Sequence, residues 1–462
     1  MTTERPGDPS QWSLEEIQDA VVAGRVTPYD VVDASLRALQ DWEPVVGAFT
    51  SWDEARLNSN SADTAERLRR SAPAPLDGVV LAVKDNIQVA GRPLTAGSSW
   101  WQVTPAVNAE CWQALEEAGA MYLGQTNLHE FAFGATTVNL AAQTTRNPWD
   151  VERAAGGSSG GSAVAVAIGA CGAALGTDTG GSVRIPAALT GVTGFKPTYG
   201  RIPLTGVVPL SPSCDHVGVL SRTAAGCARV FGNLPGQRRC DTGTWPDRTF
   251  AGRRIGVLTA HLNRSEPEVV AAVQRALTML EELGAELEEA TVPNEHEANA
   301  VTSTMVRFEA AQVHRKWLRD PAVRYGADVR GRLEEGLSIS ADRYREARER
   351  RGELAAAILD AHHGFDAVAG PTVPITAPTI SSCVQAAGAA VQSALLSNTY
   401  CYNVTGQPAI SVPCGLTSEG LPVGLQLAAG LGHDDSLVEL GVALQRVTRW
   451  HNARPVLQRS PA

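Results

Sequence analysis

Several things are missing from this 462-residue sequence, and each absence removes a class of function. No stretch offers about 18 consecutive apolar residues, so no membrane-spanning helix is expected. The first residues, MTTERPGDPSQW, lack a basic start followed by an apolar run, so no secretory signal is expected. None of the eight cysteines forms a C-x-x-C pair, and free thiols in a reducing cytoplasm are expected. No block of like charge suggests an interaction tail. The net charge of −10 opposes non-specific binding to nucleic acid or to an anionic membrane. No H-E-x-x-H or Cys/His cluster offers metal spacing, and His362 and His363 are adjacent and cannot supply it. Also absent are a G-x-G-x-x-G and a Lys–Ser/Thr pair closing a glycine loop. Nucleotide binding loses its usual signatures with them.

What remains is a chain with 44% hydrophobic and 19% charged residues, suited to a sizeable globular core. Residues 13–40 read as two amphipathic helices, the first opened by a Ser13/Glu16 capping box. Residues 78–84, GVVLAVK, read as a buried strand. Residues 108–119 read as a helix closed by Gly119, and MYLGQT after it as a strand. Residues 162–176 are small and apolar, which predicts a buried helix and strand with close neighbours. Residues 253–292 repeat strand, helix, strand. Residues 300–360 are charged and helical, a peripheral layer or lid, and strands return between 365 and 427. No repeat or low-complexity linker interrupts the chain. The pattern predicts one interleaved α/β domain and not a string of modules.

Six of the 44 glycines lie in two clusters close in sequence, GGSSGGS at 156–162 and TDTGGS at 177–182. Glycine lets backbone N–H groups converge on one point, as an oxyanion hole requires. Ser182 sits in the second cluster like a nucleophile in a tight turn. A serine needs a base, and no histidine lies between His129 and His216. The strand at 78–84 ends on Lys84. Its pattern allows two placements, at a sheet edge facing water or buried among apolar groups. Burial disfavours the charged form. Lowering a lysine from about 10.4 to near 7 costs roughly 4–5 kcal/mol, and a neutral lysine can act as a base. Asp85 is next to it, but neighbours on a strand point to opposite faces. The CDH segment at 214–216 is a competing His–Asp arrangement.

These residues carry a resemblance. GVVLAVKDNI around Lys84, GGSSGGSAVAVAIG from Gly156, LGTDTGGSVRIPAALTGVTGFKPTYGRI from Leu175 and AISVPCGL…GLPVGLQL resemble the amidase signature family. The similarity covers nearly the whole chain, with core motifs at 78–220 and 365–440, and it implies a single α/β/α domain over 1–462 with a large mixed sheet covered by helices on both faces. It implies a Ser–Ser–Lys triad: Ser182 the nucleophile, Lys84 the general base and later acid, and Ser158 the proton relay between them. It also implies a cis peptide bond before Ser158 and an oxyanion hole from the N–H groups around Thr179, Gly180 and Gly181. Asp178 and Arg184 flank the nucleophile loop and are expected to brace it. Phe131 and Phe133 lie in the NLHEFAFG segment, which borders the acyl pocket in the resembling enzymes. One of the two is expected to touch substrate.

The resemblance implies hydrolysis of a small-molecule carboxamide through an acyl-serine, with no metal or organic cofactor. No nucleic-acid or membrane partner is expected, and a homodimer is allowed. Three alternatives stay open: an acyl or amide transferase in a biosynthetic route, the glutaminase subunit of a tRNA-dependent amidotransferase, and a non-catalytic binding protein on the same scaffold.

Overall fold

The computed structural model describes residues 7–237, 250–320, 323–385 and 388–457. In chain order its strands are β1 (Phe49–Trp52), β2 (Val80–Lys84), β3 (Met121–Thr126), β4 (Arg146–Asn147), β5 (Asp150–Ala154), β6 (Ala173–Thr177) and β7 (Thr193–Lys196). They continue as β8 (Val217–Ser221), β9 (Arg254–Leu258), β10 (Glu286–Ala290), β11 (Ala367–Pro371), β12 (Ala409–Leu416) and β13 (Pro422–Ala428). Eleven of them form one sheet in the order β1-β3-β2-β6-β8-β7-β12-β13-β11-β9-β10, and β4 and β5 make a separate ribbon. The sheet is mixed. β2 runs parallel to both β3 and β6, whereas β8, β7, β12 and β13 pair antiparallel in succession. The expected α/β/α architecture is what forms, with apolar clusters on both sides of the sheet.

Local signals act as the sequence suggested. Helix Leu14–Val22 begins at the Ser13 capping box, where the Ser13 N–H donates to Glu16 at 2.7 Å. A second box, Thr27 with Asp30, opens helix Pro28–Val46. The charged stretch forms three helices, Glu295–Leu318, Ala327–Ser338 and Ala341–Ala361. This layer is fastened to the body by an aromatic cluster in which the rings of Phe131 and His314 lie 4.5 Å apart. Of the eight cysteines, Cys240 lies outside the described residues and the other seven are unpaired.

Side-chain parity on β2 decides where the chemistry sits. Leu81 and Val83 enter the core on one face of the sheet, and Val80 and Ala82 the core on the other. Alternation puts Lys84 on the face of Val80 and Ala82. Helix Gly160–Ala167 packs on that same face through Ala163 to Ala167. β2 is an interior strand, so Lys84 is buried and the edge placement is excluded.

The small residues of this helix are a packing requirement. A Cβ at Gly161 would fall on the carbonyl oxygens of Ala48 and Asn127, both backbone atoms that cannot swing away. Gly161→Ala should therefore destabilise the protein by about 1–3 kcal/mol, the usual cost of overpacking. Denaturant unfolding checks this, and an unchanged midpoint would contradict it.

Candidate active site

Lys84, Ser158 and Thr177 come from three separate stretches and meet in a dry space between β2, β6 and the start of helix Gly160–Ala167. The Lys84 Nζ contacts Ser158 Oγ at 2.8 Å and Thr177 Oγ1 at 2.7 Å. The peptide bond Gly157–Ser158 is cis. Burial pushes the Lys84 ammonium down from 10.5 to about 7, while the charges of Asp178 and Asp215 pull it partly back. Asp85 exerts no such pull. It turns to Thr95, whose backbone N–H donates to it at 3.1 Å, and burial raises its own pKa to about 7. Asn86 completes the setting by donating to Thr177 Oγ1 at 3.2 Å.

The loop after β6 is held from below by an ion pair that water does not reach. Arg184 meets Asp178 through two nitrogens, at 3.0 and 2.9 Å, with both side chains fully buried. Arg184 also donates to the Thr399 carbonyl, Gln426 and Asn403, at 3.1, 2.9 and 2.7 Å. Asp178 in turn accepts from the N–H groups of Gly181 and Val183, at 2.8 and 3.1 Å. Burial alone would push the Asp178 carboxyl up. The charges of Arg184 and Lys196 and the hydrogen bonds of Arg184 and Asn403 hold it well below the ordinary range. Both residues thus lie beneath the turn, tied to each other and to its backbone.

This pair shapes the turn that presents Ser182. Gly181 has φ +132°, and a Cβ there would strike Thr399 Oγ1. The Gly181 N–H is taken by Asp178. The N–H groups of Thr179 and Gly180 have no acceptor among the described residues. Ser182 is 6% exposed, and its hydroxyl makes no hydrogen bond among the described residues. An accessible hydroxyl, two unengaged N–H groups and a buried amine behind a second hydroxyl can together support nucleophilic attack on a carbonyl.

No His–Asp arrangement forms at 214–216. The His216 ring faces the carbonyls of Cys214 and Asp178, at 2.7 and 3.1 Å, and Lys196 at 3.3 Å. Asp215 instead accepts from Thr179 Oγ1 at 2.6 Å and from the N–H groups of Leu210 and Ser211. His129 is bound to Asp328 at 2.8 Å. The two phenylalanines part company. Phe131 is packed in the aromatic cluster, whereas Phe133 lines a cavity of about 380 Å³ together with Tyr400 and Arg332. Tyr400 packs its ring where a Cβ on Gly180 would lie, so the cavity adjoins the nucleophile loop. Sequence reasoning misses Thr177, Asn403 and Tyr400. Thr177 stands inside the TDTGGS motif and could be found there; the others carry no local signal.

The sequence profile of the amidase family matches residues 30–438. The chain belongs to that family, and it is an enzyme acting on carbon–nitrogen amide bonds. It is 35% identical to a glutamyl-tRNA(Gln) amidotransferase subunit of Roseiflexus castenholzii, over 96% of this chain and 97% of that one. Among solved structures, an amidase superposes with TM-score 0.86 at 35% identity, covering 94% of this chain and 99% of the other. The corresponding glutamyl-tRNA(Gln) amidotransferase subunit from Thermotoga maritima gives TM-score 0.79 at 28% identity, with coverages of 97% and 98%. No helix among the described residues is long and apolar enough to cross a membrane.

Replacing one partner of a buried ion pair strands the other charge. Arg184→Met should cost about 3–5 kcal/mol and loosen the loop that carries Ser182. Thermal unfolding together with activity reads this out. A variant with unaltered melting and turnover would show that the pair does not hold the loop.

Proposed function

We propose that the chain is an acyl-serine amidase in which Ser182 is the nucleophile, Ser158 the proton relay and Lys84 the base. The observation that carries this reading is the 2.8 Å contact between Lys84 Nζ and Ser158 Oγ, made by a lysine whose burial brings it to about 7. A neutral Lys84 accepts the Ser158 proton as Ser158 accepts that of Ser182. The Ser182 oxygen then bonds to the amide carbon, and the N–H groups of Thr179 and Gly180 receive the developing oxyanion. As the carbon–nitrogen bond breaks, the proton returns from Lys84 through Ser158 to the leaving nitrogen. The products of this half are ammonia or an amine and an acyl-Ser182 ester. Water, deprotonated by the same route, attacks the ester, releases the carboxylic acid and restores Ser182.

For the particular function, the first reading is the ammonia-releasing component of a glutamyl-tRNA(Gln)-type amidotransferase. It is supported by end-to-end similarity to the amidotransferase relatives, which span almost the same length as this chain. Glutamine would be the substrate, and ammonia would pass to partner chains. The second reading is a free-standing amidohydrolase. It is supported by the higher TM-score to an amidase, 0.86 against 0.79 for the Thermotoga maritima protein. Ammonia release from glutamine and from a panel of other amides separates the two, measured with the chain alone and with whatever co-purifies from its native cells. Glutamine hydrolysis that depends on the co-purified chains supports the first. Turnover of another amide by the chain alone supports the second. The seven unpaired thiols fit a reducing cytoplasm under either reading.

Ser182→Ala should lower kcat by roughly 10⁶-fold with the fold retained. Ser158→Ala should also be severe, and the double variant should be little worse than either single one, because the residues act as a unit. A Ser182→Ala protein keeping a tenth of the activity would remove Ser182 from its role, and a neutral Ser158→Ala would remove the relay.

The base must be unprotonated in the free enzyme. With Lys84 lowered to about 7, kcat/KM should rise with pH through neutrality and level off above it. That limb should vanish in Lys84→Ala. Lys84→Arg should be nearly as damaging, since arginine does not deprotonate in this range. A Lys84→Arg enzyme with substantial activity would leave the lysine only a structural or electrostatic part.

A further inference from the structure

The cavity beside the nucleophile loop has a chemical bias of its own. Its inner wall is Tyr400, stacked against Gly180, and Phe133 lines it as well. Arg307 reaches it from helix Glu295–Leu318 and Arg332 from helix Ala327–Ser338. The positive charges of both arginines act on the Tyr400 hydroxyl, so the three groups share one space.

Their hydrogen bonding differs in a telling way. Arg332 is occupied: it donates to the Phe133 carbonyl and pairs with Asp328 at 3.1 Å. Arg307 is held only by its Nε, which meets Glu335 at 2.9 Å. The Glu335 side chain is 64% exposed, so water screens that pair and leaves it weak. The two terminal nitrogens of Arg307 have no acceptor among the described residues. Gln392 has its oxygen fixed by the Ala135 N–H at 3.0 Å, which leaves its amide nitrogen without an acceptor among the described residues. The Tyr400 hydroxyl is likewise without a partner there. The acid on the cavity wall, Glu295, is already taken by His261 and Arg264, each at 2.7 Å. The cavity therefore offers donors and positive charge, and the buried acceptor on its wall that has no partner among the described residues is Asn299 Oδ1.

We propose that this cavity selects amides whose acyl chain ends in a carboxylate, and that the free edge of Arg307 is the group that binds it. The assignment rests on the acyl-serine reading, because the acyl chain enters the cavity only if the scissile carbonyl sits at Ser182. A guanidinium with two free nitrogens matches a carboxylate in a bidentate pair. Phe133 and Leu396 supply apolar wall for the methylenes between the two ends. A cationic chain end is repelled by the two arginines, and a neutral one leaves the Arg307 edge unused.

The test is a binding measurement, so it does not depend on turnover. The Ser182→Ala protein is titrated calorimetrically with succinamate, glutaramate and adipamate, and with the methyl ester of each. At least one carboxylate should bind tenfold to a hundredfold more tightly than its ester, the range of a charge-assisted hydrogen bond in a partly exposed site. Arg307→Met in the same background should bring the two dissociation constants together, and Arg307→Lys should keep part of the difference. Equal binding of acid and ester overturns the proposal. So does a preference that survives Arg307→Met, or no measurable binding of any acid. Failure of the acyl-serine reading would appear separately, as persistent activity in Ser182→Ala.

Discussion

The ion pair between Asp178 and Arg184 is the constraint on which the site depends. It is fully buried, so each charge has lost its water, and the pair is tolerable only because other groups complete the hydrogen bonding. Those groups are spread along the chain: Gly181 and Val183 on one side, Thr399, Asn403 and Gln426 on the other. The pair thus ties the turn bearing Ser182 to β13 and to the segment before β12. A buried pair of this kind contributes little net stability. Its effect is to permit one arrangement of the loop, since any other leaves charge or N–H groups unpaired in a dry interior.

The same dryness governs Lys84. Burial brings the amine to about 7, which makes it usable as a base near neutral pH, yet it also makes the charged form expensive to hold. Thr177 and Ser158 provide acceptors close enough to keep the amine in place in either state. Asp178 and Asp215 act in the opposite direction and keep the shift from going further. The depressed lysine is therefore a balance between desolvation by the sheet and attraction from the carboxylates below the nucleophile loop. Arg184 enters this balance indirectly, by keeping Asp178 ionised.

Outside this centre, the helical layer sets the substrate space. Three helices between residues 295 and 361 close over the sheet, and two of them deliver arginines to the cavity next to Tyr400. Aromatic packing around Phe131 and the His129–Asp328 contact hold the layer against the body. Lys84 and Ser158 stand on or beside strands in a buried interior, while Arg307 and Arg332 stand on helices of the outer layer. Under the proposed mechanism, such a division lets substrate preference change without disturbing the proton relay.

How much of this could be read beforehand follows from how local each signal is. The strand ending on Lys84, the small-residue helix after Ser158 and the charged helices at 300–360 all rest on periodicity or composition within a dozen residues, and all formed. The Ser–Ser–Lys set was legible only through long motifs, and of its members Lys84 and Ser158 meet at 2.8 Å. That the Gly181 N–H is captured by Asp178 is a choice fixed by turn geometry and not by residue type. Asn403, Tyr400 and the cavity arginines stayed invisible for a related reason. Alternation along β2 fixes which face Lys84 shares with Ala82, but not what covers that face. That was decided when β2 settled between β3 and β6 and helix Gly160–Ala167 packed above it, because contacts between distant segments are selected by burial of the whole sheet, which no short window of sequence contains.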